Sequence, residues 1–190
     1  MEGEISAARL ELEQARERVD LRRYLHEIEA AFLDALLAVG MPGVREFDTV
    51  EVNPRTLVPS VVPGDEGQRW SFDTVGSDVA TAGSGGKKTL FHICYALALH
   101  RVCAENELDL PTLLIIDTPM KNIGEDVDAA LFHGFYRYLY TLADGGLGET
   151  QLLIIDKEYE PPPEELDASE IFMERGDPDH PPLVPYYDGP

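Results

Sequence analysis

The stretch Thr81-Ala82-Gly83-Ser84-Gly85-Gly86-Lys87-Lys88-Thr89-Leu90 opens an apolar run that lasts to about Val102. Leu110-Pro111-Thr112-Leu113-Leu114-Ile115-Ile116-Asp117-Thr118-Pro119 follows shortly after. A glycine turn thus starts a helix, and a short apolar strand ending in an acid comes next. Ser84, Gly85 and Gly86 bring free backbone N–H groups and the positive end of a helix to one point, which is a phosphate-binding arrangement. Lys87 and Lys88 add positive charge beside it. Leu113 to Ile116 are all apolar, as in the buried parallel sheet of an α/β protein. Asp117 leaves that strand at its carboxyl end, where α/β folds carry their ligand chemistry. The fold class this predicts is α/β.

Downstream, residues 120 to 126 read as a loop and Val127 to Leu142 as a helix, with Ala130, Leu131, Phe135, Tyr138 and Leu139 apolar. Asp144-Gly145-Gly146 breaks the helix. Gln151 to Ile155 is a second apolar strand, again ending in an acid, Asp156. Two such strands joined through a helix predict a right-handed βαβ unit. Beyond Lys157 the chain is rich in Pro, Glu and Asp, as in Pro161-Pro162-Pro163-Glu164-Glu165, and predicts a mostly extended tail.

Upstream of the glycine turn, residues 44 to 74 predict a small antiparallel β element. Its strands are Thr49–Val52, Thr56–Val62 and Arg69–Phe72, separated by Asn-Pro and Pro-Gly-Asp turns, with Pro59 marking an edge or a break. Asp73 to Ala82 is expected to be loop. Residues 5 to 39 read as one long helix. Ala8, Leu12, Ala15 and Val19 repeat at coiled-coil spacing, and the seam then shifts to Leu21, Leu25, Ile28 and Phe32. Gly40-Met41-Pro42-Gly43 ends it. The division expected is a stalk helix over 1–40, an α/β lobe over 41–160 and a Pro-rich acidic tail over 161–190.

The chain has 190 residues and a formal net charge of -21. That length suits one domain with appendages and allows a true core. Such acidity argues against direct binding of nucleic acid by this surface, because phosphate neutralisation needs Lys and Arg. Cys94 and Cys103 fall in one predicted helix nine residues apart, which suits free thiols rather than a disulfide. The charged N-terminus lacks the apolar region of a signal peptide, and no apolar run reaches a membrane span. The expected location is the cytoplasm, with no membrane partner.

Two other readings of the same residues compete. A phosphate loop of the Walker A type requires G-x-x-x-x-G-K-[ST]. Here Gly86-Lys87 is preceded by Thr81 where Gly is required and followed by Lys88 where Ser or Thr is required. His92, Cys94, His100 and Cys103 suggest a metal, but only His100 and Cys103 are spaced for a shared helix face and no second pair converges nearby. Ordinary core packing accounts for them.

Taken together, S-G-G-K-K, the long helix and L-L-I-I-D-T-P resemble the signature motif and Walker B strand of an ABC-type ATPase head. The likeness is to the SMC-like group, which includes double-strand-break-repair and phage-defence ATPases, and it covers roughly residues 5 to 158. The heads of that group are split, with Walker A in an N-terminal lobe, then a long coiled coil, then a lobe bearing signature and Walker B. This chain resembles the second lobe with the last part of the coiled coil.

The resemblance implies the following roles. Ser84, Gly85, Gly86 and Lys87 would cap the γ-phosphate of ATP held by an opposite head. Asp117 would hold the Mg²⁺ shell. The usual catalytic Glu is Thr118 here, as in relatives that read I-D-T-P, and its hydroxyl can orient a water but is a poor base. The candidate D-loop is Ile123-Gly124-Glu125-Asp126. The switch position, often His, is Asp156, and Asp156 or Glu158 is the candidate general base. No Walker A and no Q-loop occur within these residues.

The function implied is ATP binding and hydrolysis coupled to DNA repair or anti-phage defence. Walker A would come from another lobe or a second head, the stalk would have a coiled-coil partner, and DNA would be reached through the assembly. The alternative is a non-catalytic acidic coiled-coil protein acting as a regulator.

Overall fold

A computed structural model of the chain describes residues 21–65, 67–72, 80–81, 85–119, 125–147, 149–156, 158 and 160–162. These residues form a mixed α/β unit. Three α-helices, α1 (Leu21–Ala38), α2 (Gly85–Glu105) and α3 (Glu125–Thr141), accompany two small sheets. The first sheet has the order β1 (Thr49–Val52), β2 (Pro59–Val62), β3 (Trp70–Ser71), β4 (Ala80–Thr81). The second pairs β5 (Leu113–Asp117) with β6 (Gln151–Ile155). The stalk residues 5–20 and the tail beyond 162 lie outside the described residues.

Helix α1 buries Ala31, Phe32, Ala35 and Leu36, one stripe at helical spacing. The stripe meets α2, where Phe32 packs edge-on against Phe91 and Tyr95 at ring-centroid distances of 4.9 and 5.2 Å. The two helices run antiparallel, because Arg23 and Glu27 at the start of α1 bond Asn106 just past the end of α2. Of the shifted seam, Leu25, Ile28 and Phe32 pack within this chain's own core, whereas Leu21 is exposed. Gly40 ends α1 in a Schellman turn: Met41 N–H bonds Leu36 O at 2.8 Å, Gly40 N–H bonds Leu37 O at 3.0 Å, and Gly40 has φ +72°. Helix α2 ends the same way at Glu107, a non-glycine residue at φ +54°.

The first sheet departs from expectation at two points. Strand β2 starts at Pro59 rather than Thr56, because Asn53 Oδ1 accepts from the amides of Arg55 and Thr56 and folds residues 53–58 into a turn. Ala80–Thr81, expected to be loop, is a two-residue strand parallel to β3, so the sheet is not wholly antiparallel. Ser71 is fully buried and donates to Pro59 O at 2.7 Å. Trp70 and Phe72 do share a side, and both rings reach Phe91.

The second sheet is parallel, as a βαβ unit requires, with a register running from Leu113↔Gln151 to Asp117↔Ile155. Helix α3 begins at Glu125, has a non-helical residue at Asp128, and runs into a π-helical turn over Leu142–Gly146 instead of breaking at Asp144. Ala130 is exposed, but Leu131, Phe132, Phe135 and Leu139 enter the core.

The largest departure concerns burial. Among the described residues, one face of β5–β6 is covered. Ile116 is buried and Leu114, Leu152 and Ile154 pack on the core, while Leu113, Ile115 and Ile155 are 46, 55 and 51% exposed. Paired residues in a parallel ladder share a face, so these three form one open apolar surface. Among the described residues, no helix is long and apolar enough to cross a membrane.

Candidate functional site

Helix α2 starts at Gly85, so the glycine turn does open a helix. Gly86 is buried, Lys87 half-buried and Lys88 exposed. Ser84 lies outside the described residues. Phe91, in the second turn of α2, packs on Trp70 and Phe72, so this end of the helix stands against the first sheet. The acidic candidates belong to the second sheet.

There the geometry is specific. Asp117 ends β5 and is exposed. Thr118 turns the chain with φ +53°, a left-handed conformation that a β-branched residue adopts only at a cost. Its amide bonds Ile155 O at 2.6 Å, which carries the ladder one step past β5. Its hydroxyl donates to Asp117 Oδ1 at 2.8 Å. The Thr118 hydroxyl therefore already has an acceptor, and it orients the Asp117 carboxylate.

Asp156 follows Ile155, one residue beyond the last rung, so it neighbours Thr118 across the strand ends. Both Asp156 and Glu158 are half-buried. Tyr136 of α3 donates to Glu158 O at 3.0 Å, with Asp156 Oδ2 at 3.5 Å. Burial, then the charges of Asp156, Glu158 and Glu160, push the Tyr136 phenol well up, so it remains a donor.

Strand register places Thr118 and Asp156 side by side, one step past the Asp117↔Ile155 rung, with Asp117 on the open face of the sheet and Asp156 reaching Tyr136 of α3. No described contact joins them to Gly85–Lys87. Among the described residues, no group of three or more His, Cys, Asp or Glu side chains is arranged to hold a metal ion by itself. A single exposed carboxylate oriented by a hydroxyl suits Mg²⁺ arriving with a phosphate ligand, since Mg²⁺ keeps most of its waters and takes one or two carboxylates. His100 and Cys103 form no such group either. Cys94 is fully buried, and burial pushes its thiol up.

Sequence reasoning missed Tyr136. The available signal was the His133, Tyr136, Tyr140 spacing, which aligns three polar-tipped side chains on one face of the helix. No protein-family model matches this chain, and no curated protein matches it.

Proposed function

We propose that this chain is the signature and Walker B lobe of an SMC-like ATPase head. In that role it completes an ATP-hydrolysing site whose phosphate loop lies on another stretch of polypeptide. The observation that carries the reading is the end of β5. There an apolar parallel strand delivers Asp117 into a strained turn at Thr118, and Asp156 follows at the end of the neighbouring strand. Asp117 would face the Mg²⁺ shell, Thr118 would hold that carboxylate in place, and Asp156 or Glu158 would accept a proton from an attacking water. Gly85, Gly86 and Lys87, at the start of α2 against the other sheet, would cap the γ-phosphate of a nucleotide held by an opposite head. The open apolar face of β5–β6 supports the need for a further lobe, because a parallel sheet is ordinarily covered on both sides. The couplings to DNA repair or phage defence rest on the resemblance alone. The rival reading, an acidic interaction protein, rests on the net charge of -21.

The test is reconstitution with a polypeptide that carries Walker A and ends in a coiled coil. The mixture should hydrolyse Mg·ATP. Ser84→Arg should block head engagement, because its long cation would occupy the γ-phosphate position. Asp117→Asn should reduce turnover by about tenfold or more, since a full charge is lost beside the metal. Turnover unaffected by both variants would reject the assignment.

A further inference from the structure

The segment after β6 is held to α3 at every second residue. Tyr136 reaches Asp156 and the carbonyl of Glu158, Tyr140 donates to the carbonyl of Glu160, and His133 Nδ1 lies 2.9 Å from Glu160 Oε1. His133, Tyr136 and Tyr140 share one face of α3. We infer that this segment is a strap clamped to α3, and that Tyr136 is the residue that positions Asp156 at the end of β6.

Tyr136 is suited to this because its ring is itself fixed. It is buried and packs against Phe132 and Phe135 at centroid distances of 5.0 and 5.5 Å, so the core sets where its hydroxyl points. A phenol has a single proton to donate. The carbonyl of Glu158, at 3.0 Å, is the nearer acceptor and ties the backbone there to α3. The carboxylate of Asp156, at 3.5 Å, is the alternative acceptor for the same proton. Tyr140 and His133 grip the strap further along, at Glu160. Losing them would loosen its far end and leave the Asp156 end held.

The positioning role rests on the reading of the strand ends as a hydrolytic site. The clamp does not. Tyr136→Phe keeps the buried ring and removes only the hydroxyl. In the full chain, amide hydrogen exchange at 158 and 160 should rise roughly fivefold to tenfold in this variant, with β6 and α3 protected as before. Unchanged exchange there overturns the clamp. In the reconstituted ATPase, Tyr136→Phe should lower kcat by about tenfold with KM for Mg·ATP unchanged, and Tyr140→Phe should leave kcat within about twofold. Equal losses in both variants, or a change in KM alone, overturn the positioning role. If the wild-type assembly hydrolyses no ATP, the ATPase reading and the positioning role both fall, and the exchange measurement alone decides the clamp.

Discussion

Thr118 shows how much one residue can carry. Its hydroxyl, its amide and its φ of +53° all serve the end of β5. Glycine adopts that φ without cost, so Thr118→Gly should stabilise the isolated chain by about 0.5–1 kcal/mol in urea unfolding. The same change should lower turnover in the assembled enzyme, because Asp117 loses the hydroxyl that orients it. Asp48 carries a purely structural load. It is buried and accepts from Arg45 N–H at 2.8 Å and Gly64 N–H at 3.0 Å. Asp48→Ala orphans two amides and should cost about 2 kcal/mol. His100 sets a pH dependence. Its Nδ1 is buried without a partner, and burial lowers its pKa below the ordinary 6.5. The unfolded chain then takes up a proton that the folded chain resists, so this residue's contribution is intact above pH 6.5 and is lost as pH falls below it. Denaturant titrations from pH 7.5 to 5 should show a smaller acid-side loss for His100→Gln than for the wild type.

At the scale of elements, the close approaches are tested by glycine. Gly134 sits where α3 crosses the end of α1, and a Cβ there would lie 2.8 Å from Val39 O. Gly134→Ala should cost about 1–3 kcal/mol, because backbone rather than a flexible side chain must move. Glu107 poses the opposite case, a left-handed cap filled by a residue with a Cβ, and Glu107→Gly should raise stability by up to about 1 kcal/mol. The elements legible in the sequence were those with local causes. The start of α2 follows from its glycines, the end of α1 from Gly40, and β1, β5 and β6 from apolar runs bounded by turn residues. Strand β4 was not legible, because two residues beside Trp70 and Ser71 are held by a non-local pairing that leaves no local pattern. The Thr118 turn was hidden for a related reason: a β-branched residue in a left-handed conformation runs against its own preference, and the tie to Ile155 O is non-local. The Asp117 and Asp156 candidates were legible as strand ends. Their placement through register, and the Tyr136 strap, needed the three-dimensional arrangement.

Across the whole molecule, the open face of β5–β6 connects fold to function. Leu113 to Ile116 read as fully buried because an apolar strand carries the same sequence whether its second covering layer belongs to this stretch of chain or to another. Ile115→Lys separates the two possibilities. At 55% exposure the change should alter the stability of the isolated chain by less than about 0.5 kcal/mol, yet it should prevent a second lobe from seating on the sheet. Retained assembly, seen as co-elution with the Walker A polypeptide, would move the docking surface elsewhere. The central claim is that the chemistry is divided between polypeptide segments, and the most direct measurement is Mg·ATP turnover by the purified chain alone. The account predicts no more than trace hydrolysis, because these residues include nothing to cradle the α- and β-phosphates. Robust turnover that Lys87→Ala abolishes would contradict it and make the turn at Gly83–Lys88 a phosphate loop in its own right.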